Sequence, residues 1–128
     1  KRTGPDLARE GTGNLKKSDG WHFRHFREPS SMSEGSIMPT YPFLIEQNID
    51  TASTAAKINA MRSLGVPYEK GYEKIANQEL MTQANGIRIN LKMEGIEVPA
   101  NREVVALISY MQRLGKDISN NKTATFNK

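Results

Sequence analysis

Apolar positions fall unevenly along the 128 residues. Residues 1 to 36 are poor in aliphatic side chains, whereas 44 to 114 hold nearly all of the periodic ones. In "TASTAAKINAMRSL" a helix is predicted behind Asp50 as N-cap, stopped by Gly65 with Pro67 beyond it. From about Lys70 to Met93, Tyr72, Ala76, Leu80, Ala84, Ile87 and Leu91 recur in steps of three and four, the face of an amphipathic helix. Gly86 weakens the middle of that helix. Pro99 ends a short linker and Asn101 is placed to cap "REVVALISYMQRL", closed by Gly115. Its inward face is predicted as Val104, Leu107, Ile108, Met111 and Leu114.

Upstream the pattern changes. Residues 1 to 17 read as a Gly- and Lys-rich loop, and Ser18 N-caps a short helix, "DGWHFRHF", ended by Pro29. The stretch from 28 to 48, "EPSSMSEGSIMPTYPFLIEQN", has no period and is long for a connection inside a compact domain, so it is expected to wrap around something. No alternating pattern competes. The predicted fold class is all-α, with one domain over residues 1 to 115 carrying long loops and a polar, flexible tail over 116 to 128.

Composition narrows the chemistry. There is no cysteine, which removes disulfides, zinc–thiolate sites, thiol nucleophiles and covalent haem attachment through C-x-x-C-H from these residues. A net charge of +4 suits an acidic protein partner or an anionic surface, but no basic cluster is denser than "NLKKSDG", so nucleic acid is not expected as a partner. No apolar run approaches the roughly 20 residues that span a bilayer. No Ser-His-Asp arrangement, phosphate-binding glycine loop or nucleophile elbow occurs, and the scattered acidic residues read as solvated helix faces. Nothing supports hydrolytic catalysis.

Two features remain as candidate chemistry. His22 and His25 lie three apart on one short helix, but no third ligand accompanies them at metal-binding spacing, so surface or supporting roles are expected. Met38 stands before Pro39, which favours an extended backbone, and Pro42 stiffens the chain again. A thioether held this way can pack on apolar surface or an aromatic ring, or it can ligate a soft metal such as copper(I) or a haem iron. The residues alone leave those alternatives open.

Four segments taken together, "KRTGPDLAR", "DGWHFRHFREP", "SIMPTYPFL" and "MRSLGVPY", resemble in order and spacing the mono-haem cytochrome c subunit of the cbb-type cytochrome c oxidases. The resemblance covers most of residues 1 to 70; from 71 to 115 it is one of general character. It implies a cytochrome c-like helical domain and a covalently held haem c with histidine and methionine as axial ligands. Met38 falls on the family's methionine, and the Gly4–Pro5 turn on the backbone that orients the proximal histidine ring. By the same resemblance Leu7 walls the haem, while Arg2, Trp21, Tyr41 and the two histidines are contacts to its edge or propionates. The implied function is electron transfer from a donor cytochrome to the haem–copper catalytic subunit, among other oxidase subunits, on the periplasmic side of the bacterial inner membrane.

The chain departs from the family pattern at "LAREGTGNLKKSDG" and "REPSSM", changes that suit a divergent branch in which the subunit could be fused to the catalytic one. The family's membrane anchor and C-x-x-C-H segment lie upstream of Lys1. The chain is therefore expected to be a non-catalytic piece of a longer protein that binds no haem by itself. Self-association would then bury the apolar surface left uncovered over residues 1 to 44. The competing reading is a haem-free helical interaction module in which Met38 packs and the faces of residues 70 to 93 and 102 to 114 bind a partner.

Overall fold

The computed structural model describes residues 4–116, and among these the chain is helical, with no strand. Six α-helices follow two 3-10 turns at Leu7–Arg9 and Gly13–Leu15: α1 Asp19–Arg27, α2 Pro29–Met32, α3 Pro42–Glu46, α4 Thr54–Ser63, α5 Tyr72–Met93 and α6 Glu103–Arg113. The expected all-α class is what the structure has. Arg2 and residues 117–128 of the expected tail lie outside the described residues.

The core sits where α1, α5 and α6 meet, with α3 laid against α1 and α6. Phe23 and Phe26 of α1 pack with Ala84, Ile87 and Leu91 of α5 and with Val104, Val105 and Ile108 of α6. Leu91, Val104, Val105 and Ile108 are wholly removed from solvent. On α5 the predicted face is recovered at Ala76, Ala84, Ile87 and Leu91. On α6 the buried set is Val104, Val105 and Ile108, whereas Leu107 and Met111 are only partly buried. Val105 broadens the expected stripe, because a helix gripped from two sides needs a wider apolar arc than one facing a single partner.

Helix ends show which local signals compete. Ser18 caps α1 as expected, its hydroxyl accepting from Trp21 N–H at 3.1 Å. Asp50 does not cap α4. Its carboxylate accepts from Ala52 N–H at 3.0 Å and from the Ser53 hydroxyl at 2.5 Å, closing a turn of its own, so the helix starts at Thr54 with Ser53 at the cap. Similarly, α6 is preceded by Arg102 rather than capped by Asn101, and α5 begins at Tyr72 rather than Lys70. Gly65 takes the left-handed φ of 92° that stops α4. Within the stretch expected to be irregular, Pro29 and Pro42 each open a short helix, because proline's missing N–H costs nothing in a first turn. The remainder, residues 33–41, is loop.

The N-terminal segment is clasped to the end of α6 by backbone contacts. Gly11 N–H donates to Leu114 C=O at 3.0 Å, and a Cβ on Gly11 would stand 2.5 Å from Gln112 C=O. Gly115, at φ 84°, lies so close to Ala8 that a Cβ would come within 2.3 Å of its carbonyl oxygen. Only glycine allows two chain segments to approach in this way.

Candidate functional site

Met38 sits in the loop between α2 and α3, half-buried against the edge of the core alongside Tyr41, Leu44 and Ile45. Its backbone N–H donates to the Ser36 hydroxyl at 3.3 Å. Three residues on, Tyr41 N–H donates to Phe26 C=O at the end of α1, at 3.1 Å. The Tyr41 ring meets Phe43 edge-on, with centroids 6.0 Å apart. Ile37, immediately before Met38, is 86 % exposed, and Phe43 is exposed as well. Met38 is therefore half-buried at the edge of the core, between exposed loop residues.

Trp21 and the histidines form a second group on α1. The Trp21 ring stacks on His25 at 4.7 Å and meets His22 edge-on at 5.3 Å. Lys17 Nζ lies 5.6 Å above the same indole. His22 is only 1 % exposed, and its Nε2 has no hydrogen-bond partner. Burial holds the imidazoles of His22 and His25 below their ordinary range; nearby Asp19 opposes this for His22, and Glu10 opposes it for His25. His22 is buried and His25 half-buried, and the spacing that put them on one helix face did not show that His22 points inward.

The remaining motif residues differ from Met38 in exposure. Gly4 and Pro5 are exposed, and Leu7, in the first 3-10 turn, is 52 % exposed. Asp6 accepts from Ala8 N–H at 3.2 Å, which sets the turn that follows Pro5.

Sequence reasoning missed the acidic residues that organise this end of the molecule. Asp19, expected to be solvated, is buried and accepts from Asn90 of α5 and Gln112 of α6, both at 2.8 Å. Glu94, following α5, accepts from Gly20 N–H at 3.2 Å, from the Ser18 hydroxyl at 3.3 Å and from Arg24 Nη1 at 3.4 Å. Glu10 is buried as well. These carboxylates sit before, within the first turn of, or after helices, where unpaired backbone groups and partner side chains meet them. No period in the sequence marks such partners.

Among the described residues no group of three or more His, Asp or Glu is placed to hold a metal ion. The implied haem is therefore tested on a single donor and its surroundings. The half-buried Met38 thioether, with exposed Ile37 next to it in the chain, suits one soft donor beside an apolar group. Covalent attachment does not fit these 128 residues, which contain no cysteine. No helix of the described residues is long and apolar enough to cross a membrane.

No curated protein matches the chain. A family model does, described as cytochrome C oxidase, mono-heme subunit/FixO, and it extends over residues 1–118, well past the four motifs in which the resemblance was first visible. With a match over nearly the whole chain, on a helical structure of the expected class, the protein belongs to the FixO family, the mono-haem subunit of cytochrome c oxidase.

Proposed function

We propose that the chain serves electron transfer within a cbb-type oxidase, with Met38 as the axial thioether donor to a haem c whose cysteine attachments lie outside these 128 residues. The observation that carries this reading is the placement of Met38. Its sulfur-bearing side chain lies at the core edge, in a loop tied at Tyr41 to the end of α1, while Ile37 beside it faces outward. A methionine recruited only for packing would be expected deeper, on a helix, where its flexibility fills gaps.

The haem supplies one-electron redox chemistry when bound. The protein's contribution is to hold the thioether at a fixed reach and to keep water from the iron's methionine side with apolar side chains. In this proposal Gly4 and Pro5 present backbone towards the proximal histidine, and Leu7 supplies an apolar wall. Trp21, Tyr41 and Arg2 contact the haem edge or propionates. The partners are a donor cytochrome, the haem–copper catalytic subunit and the other oxidase subunits, on the periplasmic side of the bacterial inner membrane. The exposed apolar side chains of the N-terminal third, Leu7, Leu15, Ile37 and Phe43, support a covering group or subunit over that region.

Met38→Leu in the haem-loaded subunit tests the reading. The exchange conserves volume and costs under about 1.5 kcal/mol, so the fold survives it. Loss of the low-spin iron–methionine spectrum, with a fall in haem potential, is expected. An unchanged spectrum would reject ligation and favour the alternative in which Met38 only packs.

A further inference from the structure

A cleft of about 530 Å³ opens between the loop at Lys16–Ser18, the C-terminal half of α5 and the end of α6. None of Met38, Tyr41, Trp21 or Leu7 lines it, so it is independent of the haem reading. Its walls carry four cations, Lys16, Lys17, Arg113 and Lys116, against two carboxylates, Asp19 and Glu94. Both carboxylates are engaged within the fold. Asp19 accepts from Asn90 and Gln112, and Glu94 from Ser18, Gly20 and Arg24. Lys16 and Lys116 are exposed and form no ion pair among the described residues. The cleft also has apolar surface: Ile87 lines it, and Met93 stands 75 % exposed beside it.

We propose that this cleft docks an acidic, apolar-tipped segment of a partner protein. The exposed ammonium groups of Lys16 and Lys116 select carboxylates, which they can reach without breaking an internal contact. Met93 offers a place for an aliphatic anchor, since a methionine side chain adapts its shape to such a guest. Nucleic acid fits less well, because the cations are gathered in one concavity and form no stripe along which a backbone could run. An anionic bilayer is flat and presses on protruding faces, so a recessed site with apolar walls favours a peptide over a lipid surface.

The test uses the 128-residue chain and three probes. The first is an acetylated glutamate-rich peptide carrying two leucines, the second is the same peptide with glutamine for glutamate, and the third is vesicles of phosphatidylglycerol. Binding is followed by calorimetry and by the emission of Trp21, the chain's only tryptophan, which feels Lys17 above its ring. The acidic peptide is expected to bind, with affinity falling as salt rises, and the glutamine peptide to bind at least tenfold more weakly. Lys16→Glu with Lys116→Glu should weaken the acidic peptide by about tenfold or more. Lys70→Glu with Lys74→Glu makes the same charge change away from the cleft and should leave binding within about twofold. Thermal unfolding matching the parent establishes that both double variants fold. Equal loss in the two double variants would show net charge alone at work and overturn the proposal. So would failure of the acidic peptide to bind, or binding of vesicles alone.

Discussion

Removing the Asp19 carboxylate tests whether the three core helices are held in register by one buried charge. Asp19 is the first residue of α1, and its two carboxylate oxygens reach different helices. One accepts from Asn90 Nδ2 of α5 and the other from Gln112 Nε2 of α6, each at 2.8 Å. Gln112 Nε2 also donates to Lys17 C=O at 2.7 Å, so the same amide ties α6 to the turn preceding α1. A hydrogen bond to a charged group contributes about 1.5–3 kcal/mol, and an acidic residue in a first helical turn adds about 0.3–1 kcal/mol. Against this, Asn90 is exposed and can rotate to water, and Gln112 keeps its bond to Lys17. Asp19→Ala should therefore destabilise by about 2–3 kcal/mol. Asp19→Asn keeps the shape but turns an amide N–H towards a neighbouring donor, and should recover about half of that loss. In urea, with Trp21 emission as the probe, a slope of about 2 kcal/mol/M lowers the alanine variant's midpoint by about 1–1.5 M with the slope unchanged. A cycle with Asn90→Ala should give a coupling of about 0.5 kcal/mol or more. A midpoint within about 0.3 M of the parent would show that α1 is held by apolar packing alone, and would refute this account.

Gly86 lies in the exposed middle of α5, and a Cβ there meets nothing within 4 Å; Gly86→Ala should stabilise by about 0.5–1 kcal/mol, seen as a higher melting temperature. Burial holds His22 and His25 below the ordinary histidine range, so between that range and their folded pKa the unfolded chain binds more protons than the folded one. Stability should fall as pH drops from 7 to 5, and a urea midpoint that rises over that range would contradict the burial of His22. Arg62 fastens α4 to the start of α5 through Tyr68 C=O, Glu69 C=O and the Glu73 carboxylate, the last at 2.8 Å. In Arg62→Ala, amide exchange should quicken across Thr54–Ser63 while the amides of Leu91 and Ile108 keep their protection.

The parts of the fold legible in sequence are those written in local or periodic terms. Ser18, the α5 stripe and the stop at Gly65 each act within a few residues of themselves, and Ser18, Gly65 and the stripe at Ala76, Ala84, Ile87 and Leu91 stand where their spacing put them. Asp50 misled because a short acidic side chain serves a turn as readily as a helix, and the nearer turn donors won. Asp19 and Glu94 were unreadable for a different reason. Their partners lie 70 or more positions away, so their burial depends on helices meeting rather than on any nearby pattern. Of the candidate site, the four motifs marked the residues but not their burial: Met38 and Tyr41 share the core edge, while Gly4, Pro5 and Leu7 are exposed.

The placement of Met38 follows from how its loop is anchored. On the N-terminal side α1 ends at Arg27, and Phe26 C=O receives Tyr41 N–H, so the chain must return to the helix it has just left. On the C-terminal side Arg102 Nη1 donates to Glu46 C=O and, at 2.9 Å, to Asn48 Oδ1. Glu103 N–H donates to Gln47 C=O at 3.0 Å, and Ile49 N–H to Asn101 C=O at 2.9 Å. These bonds fix residues 46–49 to the start of α6, as the Phe26 bond fixes residue 41 to the end of α1. The two helices so joined are themselves packed together through Phe23, Phe26, Val104 and Ile108. A loop tied to two rigid elements has few ways to move its middle, and Pro39 and Pro42 remove more of them. The entropy of holding the thioether at one reach is thus largely spent during folding, which lowers the cost of any bond the sulfur then makes. Packing alone would not require that restraint, since methionine fills space by virtue of its flexibility.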